Sequence, residues 1–187
     1  IKTPKLDLKK ISIFKKEKKF NLNFSGKKID FSYLKNNAQK QFNNNKNISF
    51  DITADEIILD PKISLEGSLS GTINKSIFDA TAFGRMWLDK SPLLDSGKYK
   101  IYIDDKMSKL TGFGLIGGAE TKIIMEKSKD NFPKISFDTS DGGKLLNALG
   151  FTKNIRSGDM RMNINFLNDK YDHYKGVIKS KKFSIIN

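Results

Sequence analysis

Few residues in this chain of 187 could carry out catalysis. His173 is the only histidine and there is no cysteine, which excludes a thiol nucleophile, a thiolate metal site and a disulfide. The histidine lies in NDKYDHYKG, a polar stretch typical of a loop, and no serine elbow motif accompanies it. These residues give no reason to expect a nucleophilic enzyme.

The sequence GFGLIG, at residues 112–117, satisfies the G-x-G-x-x-G pattern of dinucleotide-binding proteins. That pattern requires a buried strand before it and a helix opening from it. The stretch TKIIMEK follows shortly afterwards and alternates like another strand. We therefore interpret residues 112–117 as a glycine-rich turn between strands.

Two acidic residues stand beside glycines in DTSDGG, namely Asp138 and Asp141. A calcium loop needs more oxygen ligands at regular spacing, so a metal site is not indicated. Asp141, or else Thr139 or Ser140, is expected to cap a short helix. From these motifs we predict no catalytic residue, no metal, no cofactor and no enzymatic activity.

The chain is basic, with a net charge of +13 from 34 Lys and Arg against 21 Asp and Glu. Such an excess can serve an anionic polymer, either nucleic acid or glycan. Only Arg85, Arg156 and Arg161 are arginines, however, and lysine is the poorer residue for bidentate recognition of phosphate or guanine. The scattered lysines and the Asn-rich residues 36–47 favour a compositional origin. We expect no specific nucleic acid partner, and a basic polymer-binding module remains an alternative.

The elements that must position any site are mostly strands, because apolar residues alternate with polar ones along most of the chain. The pattern predicts a mostly β fold, a long curved antiparallel sheet forming a groove, with one or two short helices. The helices are expected at residues 141–149 and, from Leu34, Ala38 and Phe42, at 32–42. Residues 1–187 read as a single region of a longer protein, with a loop at 36–47.

Two consecutive strand patterns, separated by a turn at INKS, carry the candidate binding site. Glycine and alanine on their apolar face indicate either bulges and bends in a curved sheet, or a groove kept open for a ligand. If the groove exists, Gly71→Leu and Ala82→Phe should block it without unfolding the sheet. The twelve groove candidates are Ile63, Leu65, Gly67, Leu69, Gly71, Ile73, Phe78, Ala80, Ala82, Gly84, Met86 and Leu88.

Several stretches together resemble a known family. The motifs are FSGKKIDFSYL, ISFDITADEIIL, LEGSLSGTI and the long segment from SFDTSDGG to MRMNINF. In this order they resemble the AsmA-like proteins of Gram-negative envelopes. The matching positions are Gly26, Asp30, Ser32, Leu34, Asp141, Gly142 or Gly143, Leu145, Leu146, Leu149, Gly150, Gly158 and Gly176. Asp159 departs from the pattern, since many relatives have a second glycine there.

The resemblance implies a taco-like sheet with an apolar interior that carries phospholipids between the inner and outer membranes and supports outer-membrane biogenesis. It implies a periplasmic location, an inner-membrane anchor in an N-terminal segment missing here, and possible envelope protein partners. Phospholipid or another acyl lipid would be the ligand. A purely structural assembly domain is a further alternative.

The predicted helix at 141–149 has a structural interpretation. Leu145, Leu146 and Leu149 lie within about one and a half helical turns, so they can cover an open end of the sheet as a lid. Gly150 can adopt the left-handed conformation that ends such a helix. We therefore expect a lid helix and not a catalytic turn.

Overall fold

The structure is a computed structural model that describes residues 2–16, 19–31, 47–75, 77–89, 91–168, 170, 172–182 and 184–185. Strands hold 74% of these residues, which confirms the predicted mostly β fold. The predicted helix at 32–42 and the loop at 36–46 lie outside the described residues. Asn47, which we assigned to that loop, is the first residue of a strand.

The strands are β1 Leu6–Lys16, β2 Lys19–Asp30, β3 Asn47–Asp60, β4 Ile63–Asn74, β5 Ile77–Leu88, β6 Ser91–Ile103, β7 Met107–Ile116, β8 Ala119–Ser128, β9 Lys134–Thr139, β10 Ile155–Arg156, β11 Asp159–Phe166, β12 Tyr174–Lys181 and β13 Ser184–Ile185. Eleven of them form one open sheet in the order β1 to β9, β11, β12, and β10 pairs with β13 separately. Neighbouring strands are antiparallel as predicted, except that β2 and β3 are parallel.

One face of the sheet, here called the inner face, contains the core. Along β4, for example, Ile63, Leu65 and Leu69 are buried and alternate with exposed or half-buried polar residues. Successive side chains of a strand point to opposite faces, so alternation in the sequence becomes segregation in the structure. The buried polar residues among those described are Thr121 and Thr139, whose hydroxyls donate to the carbonyl oxygens of Ala119 and Glu120 at 3.0 and 2.6 Å.

A row of small residues crosses the sheet perpendicular to the strands, at one register position per strand. We call it the glycine row. It consists of Gly26 of β2, Ala54 of β3, Gly67 of β4, Gly84 of β5, Gly97 of β6 and Gly114 of β7.

Gly67 and Gly84 show why the row needs glycine. Their φ angles are 148° and 136°, which side chains of L-residues rarely tolerate. A Cβ on Gly84 would also collide with the carbonyl oxygen of Glu66 and stand 3.0 Å from Cα of Gly67. The β3–β4 and β5–β6 ladders shift register beside the row, between Ala54 and Ile57 and between Gly84 and Met86. Bulges of this kind bend strands, and the sheet bends sharply here.

The bend closes the inner face on itself. Phe31, the residue that follows β2, lies beyond the glycine row, whereas Phe50 and Phe78 precede it on β3 and β5. The ring centroid of Phe31 is nevertheless 5.3 Å from that of Phe50 and 4.9 Å from that of Phe78. The predicted curved sheet is thus confirmed, and its curvature is a fold across the strands that brings opposite sides of the row into contact.

Tyr99 covers the middle of the row. Its ring lies where a side chain on Gly97 or Gly112 would otherwise stand, at 3.0 and 2.7 Å from the hypothetical Cβ atoms. Its hydroxyl donates to the carbonyl oxygen of Gly84 at 3.3 Å. Burial raises the pKa of Tyr99. An aromatic ring over glycine positions supplies the packing that the glycines themselves lack.

The described residues contain one regular helix, α1 Gly142–Ala148, between β9 and β10. Asp141 is its N-cap, with Oδ1 accepting the backbone N–H of Lys144 at 3.1 Å. At the other end Gly150 has a φ of 78°, and the N–H groups of Gly150 and Phe151 donate to Asn147 and Leu146. This is a Schellman motif, so the predicted caps at both ends are confirmed.

The interpretation of residues 112–117 as a turn is partly wrong. Gly112 and Gly114 lie inside β7, and the turn to β8 is formed by Gly117 and Gly118, with φ angles of 54° and 79°. The element that follows is the strand β8, so the arrangement differs from a dinucleotide fold, in which a helix opens from the glycines.

Candidate functional site

A cavity of about 120 Å³ lies inside the bent sheet where the two sides of the glycine row meet. In a flat sheet β3 and β8 would stand about 24 Å apart, at roughly 4.8 Å per strand, yet both contribute to its wall. The apolar lining residues are Leu59 of β3, Ile63 of β4, Ile101 and Ile103 of β6, Leu110 of β7 and Met125 of β8.

Four polar residues border this cavity, namely Asp60, Ser108, Lys109 and Lys127. Ser108 and Lys127 alternate in step with the inner-face residues Leu110 and Met125. Lys109 lies on the opposite face, where its Nζ atom pairs with a Glu126 carboxylate oxygen at 2.5 Å. Asp60 accepts the backbone N–H of Lys62 at 3.2 Å. The cavity is therefore apolar inside, with the inner-face cation Lys127 at its border.

A second depression of about 190 Å³ adjoins the cavity and shares Ile103, Ser108 and Lys127 with it. Lys106 and Lys129 add two further ammonium groups to its lining, with Asp104 and Asp105. An apolar cavity beside a cluster of lysines has the chemistry to hold an amphiphile with an apolar tail and an anionic head.

The connection between β6 and β7 shapes that depression, and Asp104 holds it in place. One carboxylate oxygen of Asp104 accepts the backbone N–H groups of Lys106 and Met107, both at 2.8 Å. The Tyr102 hydroxyl donates to the other oxygen at 3.2 Å. These bonds, first that from Lys106, hold the pKa of Asp104 below its usual value. The Asp104 carboxylate thus stabilises the loop, and with Asp105 it sets two formal negative charges against the three lysines that line the depression.

All twelve predicted groove residues lie on the inner face. Gly67, Gly71, Gly84 and Leu88 are half-buried and the other eight are buried. Ile63 is the member of this set that lines the cavity. The others lie in the core on β4 and β5, and their role in ligand binding stays a prediction.

Gly71 lies against β5 and opposite an aromatic residue of β3. Phe50 stands opposite Gly71 on β3, and its ring stacks on that of Phe78 of β5 with centroids 5.4 Å apart. A Cβ at position 71 would also stand 2.7 Å from Cα of Ala80. The expectation that Gly71→Leu leaves the sheet intact is therefore not supported, because β5 would have to move.

The lid helix lies at the opposite end of β7 and β8 from the cavity. Leu145 and Leu146 are buried and Leu149 is half-buried against the core, and α1 contacts β7, β8 and β11. A Cβ on Gly117, in the β7–β8 turn, would stand 2.6 Å from Cβ of Ala148. The helix thus covers this end of the sheet.

The residues considered for catalysis are not brought together. His173 has an exposed side chain whose Nδ1 lies 2.8 Å from an Asp172 carboxylate oxygen. Asp138 instead pairs with Arg161 at 2.5 Å on the outer face. Among the described residues no group of three His, Asp or Glu side chains is placed to hold a metal ion.

None of the described helices is long and apolar enough to span a membrane.

Sequence reasoning missed most of the cavity lining. Only the strand patterns of β4 and β5 were assigned to the site. The signal that could have included Ile101, Leu110 and Met125 is the alternation of β6, β7 and β8, which buries these residues with the same period as in β4.

Comparison of the chain with protein-family models, with curated proteins and with solved structures finds no match.

Proposed function

We propose that this chain binds the acyl chain of an anionic lipid between the two sides of its bent sheet. The observation that carries the proposal is the apolar cavity at Ile101, Leu110 and Met125, which opens beside the lysine-lined depression. An acyl chain would extend from the depression into the cavity, with its phosphate or carboxylate near Lys106, Lys127 and Lys129.

The size of the cavity limits what it holds in this conformation. Pockets for whole drug-sized ligands measure about 300–1,000 Å³, so about 120 Å³ accepts only the end of an acyl chain. Each buried methylene contributes roughly 0.8 kcal/mol, so about five of them are needed for the roughly 4 kcal/mol that corresponds to a Kd of about 1 mM. A longer chain would have to separate the two sides of the sheet, which is possible because the sheet is open and β1 does not pair with β12.

The wider role follows from the resemblance to AsmA-like proteins and belongs to the same proposal. The chain would be a periplasmic segment of a bridge-like protein, anchored to the inner membrane, that carries phospholipids to the outer membrane. The support is the order of the motifs around Gly26, Asp141 and Gly150, together with a sheet whose interior is apolar and whose edges are open.

The experiment combines native mass spectrometry of the purified protein with displacement of a fluorescent fatty acid. Co-purified phospholipid and saturable displacement are expected. Leu110→Phe adds a ring to the cavity wall and should weaken fatty acid binding about tenfold or more, by excluding two or more methylenes, while the thermal melt stays cooperative. Equal binding by this variant and the original chain would reject the cavity as the site.

The matched control is Leu115→Phe. It makes the same change on the same strand, but Leu115 is exposed on the outer face, so binding should not change. If both variants lose binding, the effect is not specific to the cavity. If no lipid co-purifies and no probe binds, the proposal fails as a whole.

A further inference from the structure

The strand β12, Tyr174–Lys181, is the edge of the sheet at its C-terminal side. It pairs with β11 on one side, and no other described strand pairs with it. Every residue of β12 is exposed. An eight-residue edge strand with free backbone groups is a template for pairing with another extended segment.

The hydrogen bonds identify which backbone groups face outward. The Leu167 N–H donates to the carbonyl oxygen of His173 at 2.8 Å, and the Phe166 N–H donates to Pro133 on the β9 side at 2.9 Å. In an antiparallel ladder the direction of these groups alternates along each strand. The N–H and C=O groups of Tyr174, Gly176, Ile178 and Ser180 therefore point away from β11.

The inner face at this edge is apolar and uncovered. Tyr174 and Ile178 stand opposite the buried Phe166 and Met162, yet their side chains are 55% and 47% exposed. Gly176 between them has room above it, since a Cβ there would approach only the carbonyl oxygen of Asn163, at 3.6 Å. An added strand with apolar residues on this face would extend the core.

The outer face of the same strand carries two lysines, Lys175 and Lys179, on either side of the exposed Val177. Lys175 and Lys179 stand opposite Asn165 and Arg161 of β11, so neither has an acidic residue across the ladder. Arg161 itself pairs with Asp138, on the β9 side. A strand added at β12 would therefore be favoured by acidic residues on this face.

We propose that β12 binds an extended segment of a partner protein in which apolar and acidic residues alternate. The apolar residues would pack beside Tyr174 and Ile178, and the acidic ones would pair with Lys175 and Lys179. Pairing with the β1 edge of a second copy is disfavoured by charge, because β1 brings Lys9, Lys10 and Lys15 and a single acidic residue, Asp7.

The test is fluorescence anisotropy with a labelled peptide of alternating valine and glutamate, against a peptide of the same composition in two blocks. Binding of the alternating peptide only is expected. Ile178→Pro removes an outward N–H without removing a bond to β11, so it should abolish binding while the melt is retained. Ile178→Ala keeps that N–H and should retain part of the affinity.

The role of the lysine charges on β12 is tested with variants that keep every backbone N–H group. Lys175→Glu with Lys179→Glu should weaken binding about tenfold, whereas Lys100→Glu with Lys153→Glu, of equal net charge and away from the edge, should not. Equal binding of the two peptides, or equal effects of the two double variants, would overturn the proposal. The chain could instead self-associate in a concentration-dependent way, with Ile178→Pro abolishing the association and no peptide bound. That result would show that β12 pairs with a second copy of this chain and not with a partner protein.

Discussion

The two sides of the glycine row meet in two places that differ in how well they are packed. The first contact consists of three rings with centroids within 5.4 Å of one another, those of Phe31 just after β2, Phe50 of β3 and Phe78 of β5. At β3 and β4 against β6 to β8 the second contact consists of aliphatic side chains around a cavity of about 120 Å³. The first contact fixes the bend, and the second leaves room for a ligand.

Under the proposed function, the two contacts would also differ in role, one for stability and one for ligand binding. Protein interiors are close-packed, so an internal void leaves the side chains that line it without contacts. In the aromatic contact the rings pack directly against one another and hold the two sides of the sheet together. In the proposed function, an acyl chain would supply the contacts that the aliphatic side chains around the cavity lack.

The largest loss of stability is expected from a substitution at the bend, on which both contacts depend. Gly84→Ala should destabilise the fold by more than about 3 kcal/mol, because the residue has a φ of 136° and its Cβ would collide with Glu66 of β4. Urea unfolding followed by circular dichroism measures this. Gly118→Ala is the control, since Gly118 has a φ of 79° but open space around it, and about 1–2 kcal/mol is expected. Equal losses of the free energy of unfolding in the two variants would mean that the close approach of β4 and β5 at the glycine row does not affect stability.

The two contacts can be compared directly by truncation. Phe78→Ala should cost about 3–5 kcal/mol, because a fully buried ring is removed from the aromatic contact. Met125→Ala should cost only about 2 kcal/mol, since Met125 already borders the cavity. The measurement is the free energy of unfolding of each variant, compared with that of the original chain. A larger loss for Met125→Ala would show that the cavity side supports the bend.

The smallest effect is expected at the lid helix. Partial burial alone would raise the pKa of Asp141, but the backbone N–H and the ammonium of Lys144 outweigh it and hold the pKa below its usual value. The capping contribution is therefore present above the unfolded pKa, near 3.9, and is lost as the pH falls through the folded value. Asp141→Ala should cost about 1 kcal/mol at pH 7 and progressively less in acid.

Urea unfolding at pH 7 and at pH 3 checks this expectation, with Asp130→Ala in the exposed β8–β9 connection as the control. A cost of Asp141→Ala that does not change with pH would assign the effect to something other than the charged cap.

The fold was predictable as far as it depends on neighbouring residues. Alternation placed Ile63, Leu65 and Phe78 on one face, and local capping chemistry placed α1 between Asp141 and Gly150. These features are set by side-chain direction and by hydrogen bonds within a few residues.

The rest depends on register, which the sequence of one strand does not determine. Gly67 was recognisable as a bend or a groove position, but its alignment with Gly97 and Gly114 follows from the pairing of four strands. The cavity requires Leu59 and Met125 to meet across the bend, and no spacing along the chain indicates that contact. The parallel pairing of β2 with β3 was missed because alternation is the same in both directions.

That parallel pair has a consequence for how the chain assembles. Most neighbouring strands of the sheet are joined by short connections, so their pairing can begin next to a turn, as Asn74 opposite Ile77 does in β4–β5. In β2–β3 no such start exists, since Lys19 pairs with Asn47 and Asp30 with Ile58, always 28 residues apart. By loop-closure entropy the first contact there costs about 2 kcal/mol more than one beside a turn. The hairpin of β1 and β2 is therefore the part of the sheet whose attachment is most expensive in chain entropy.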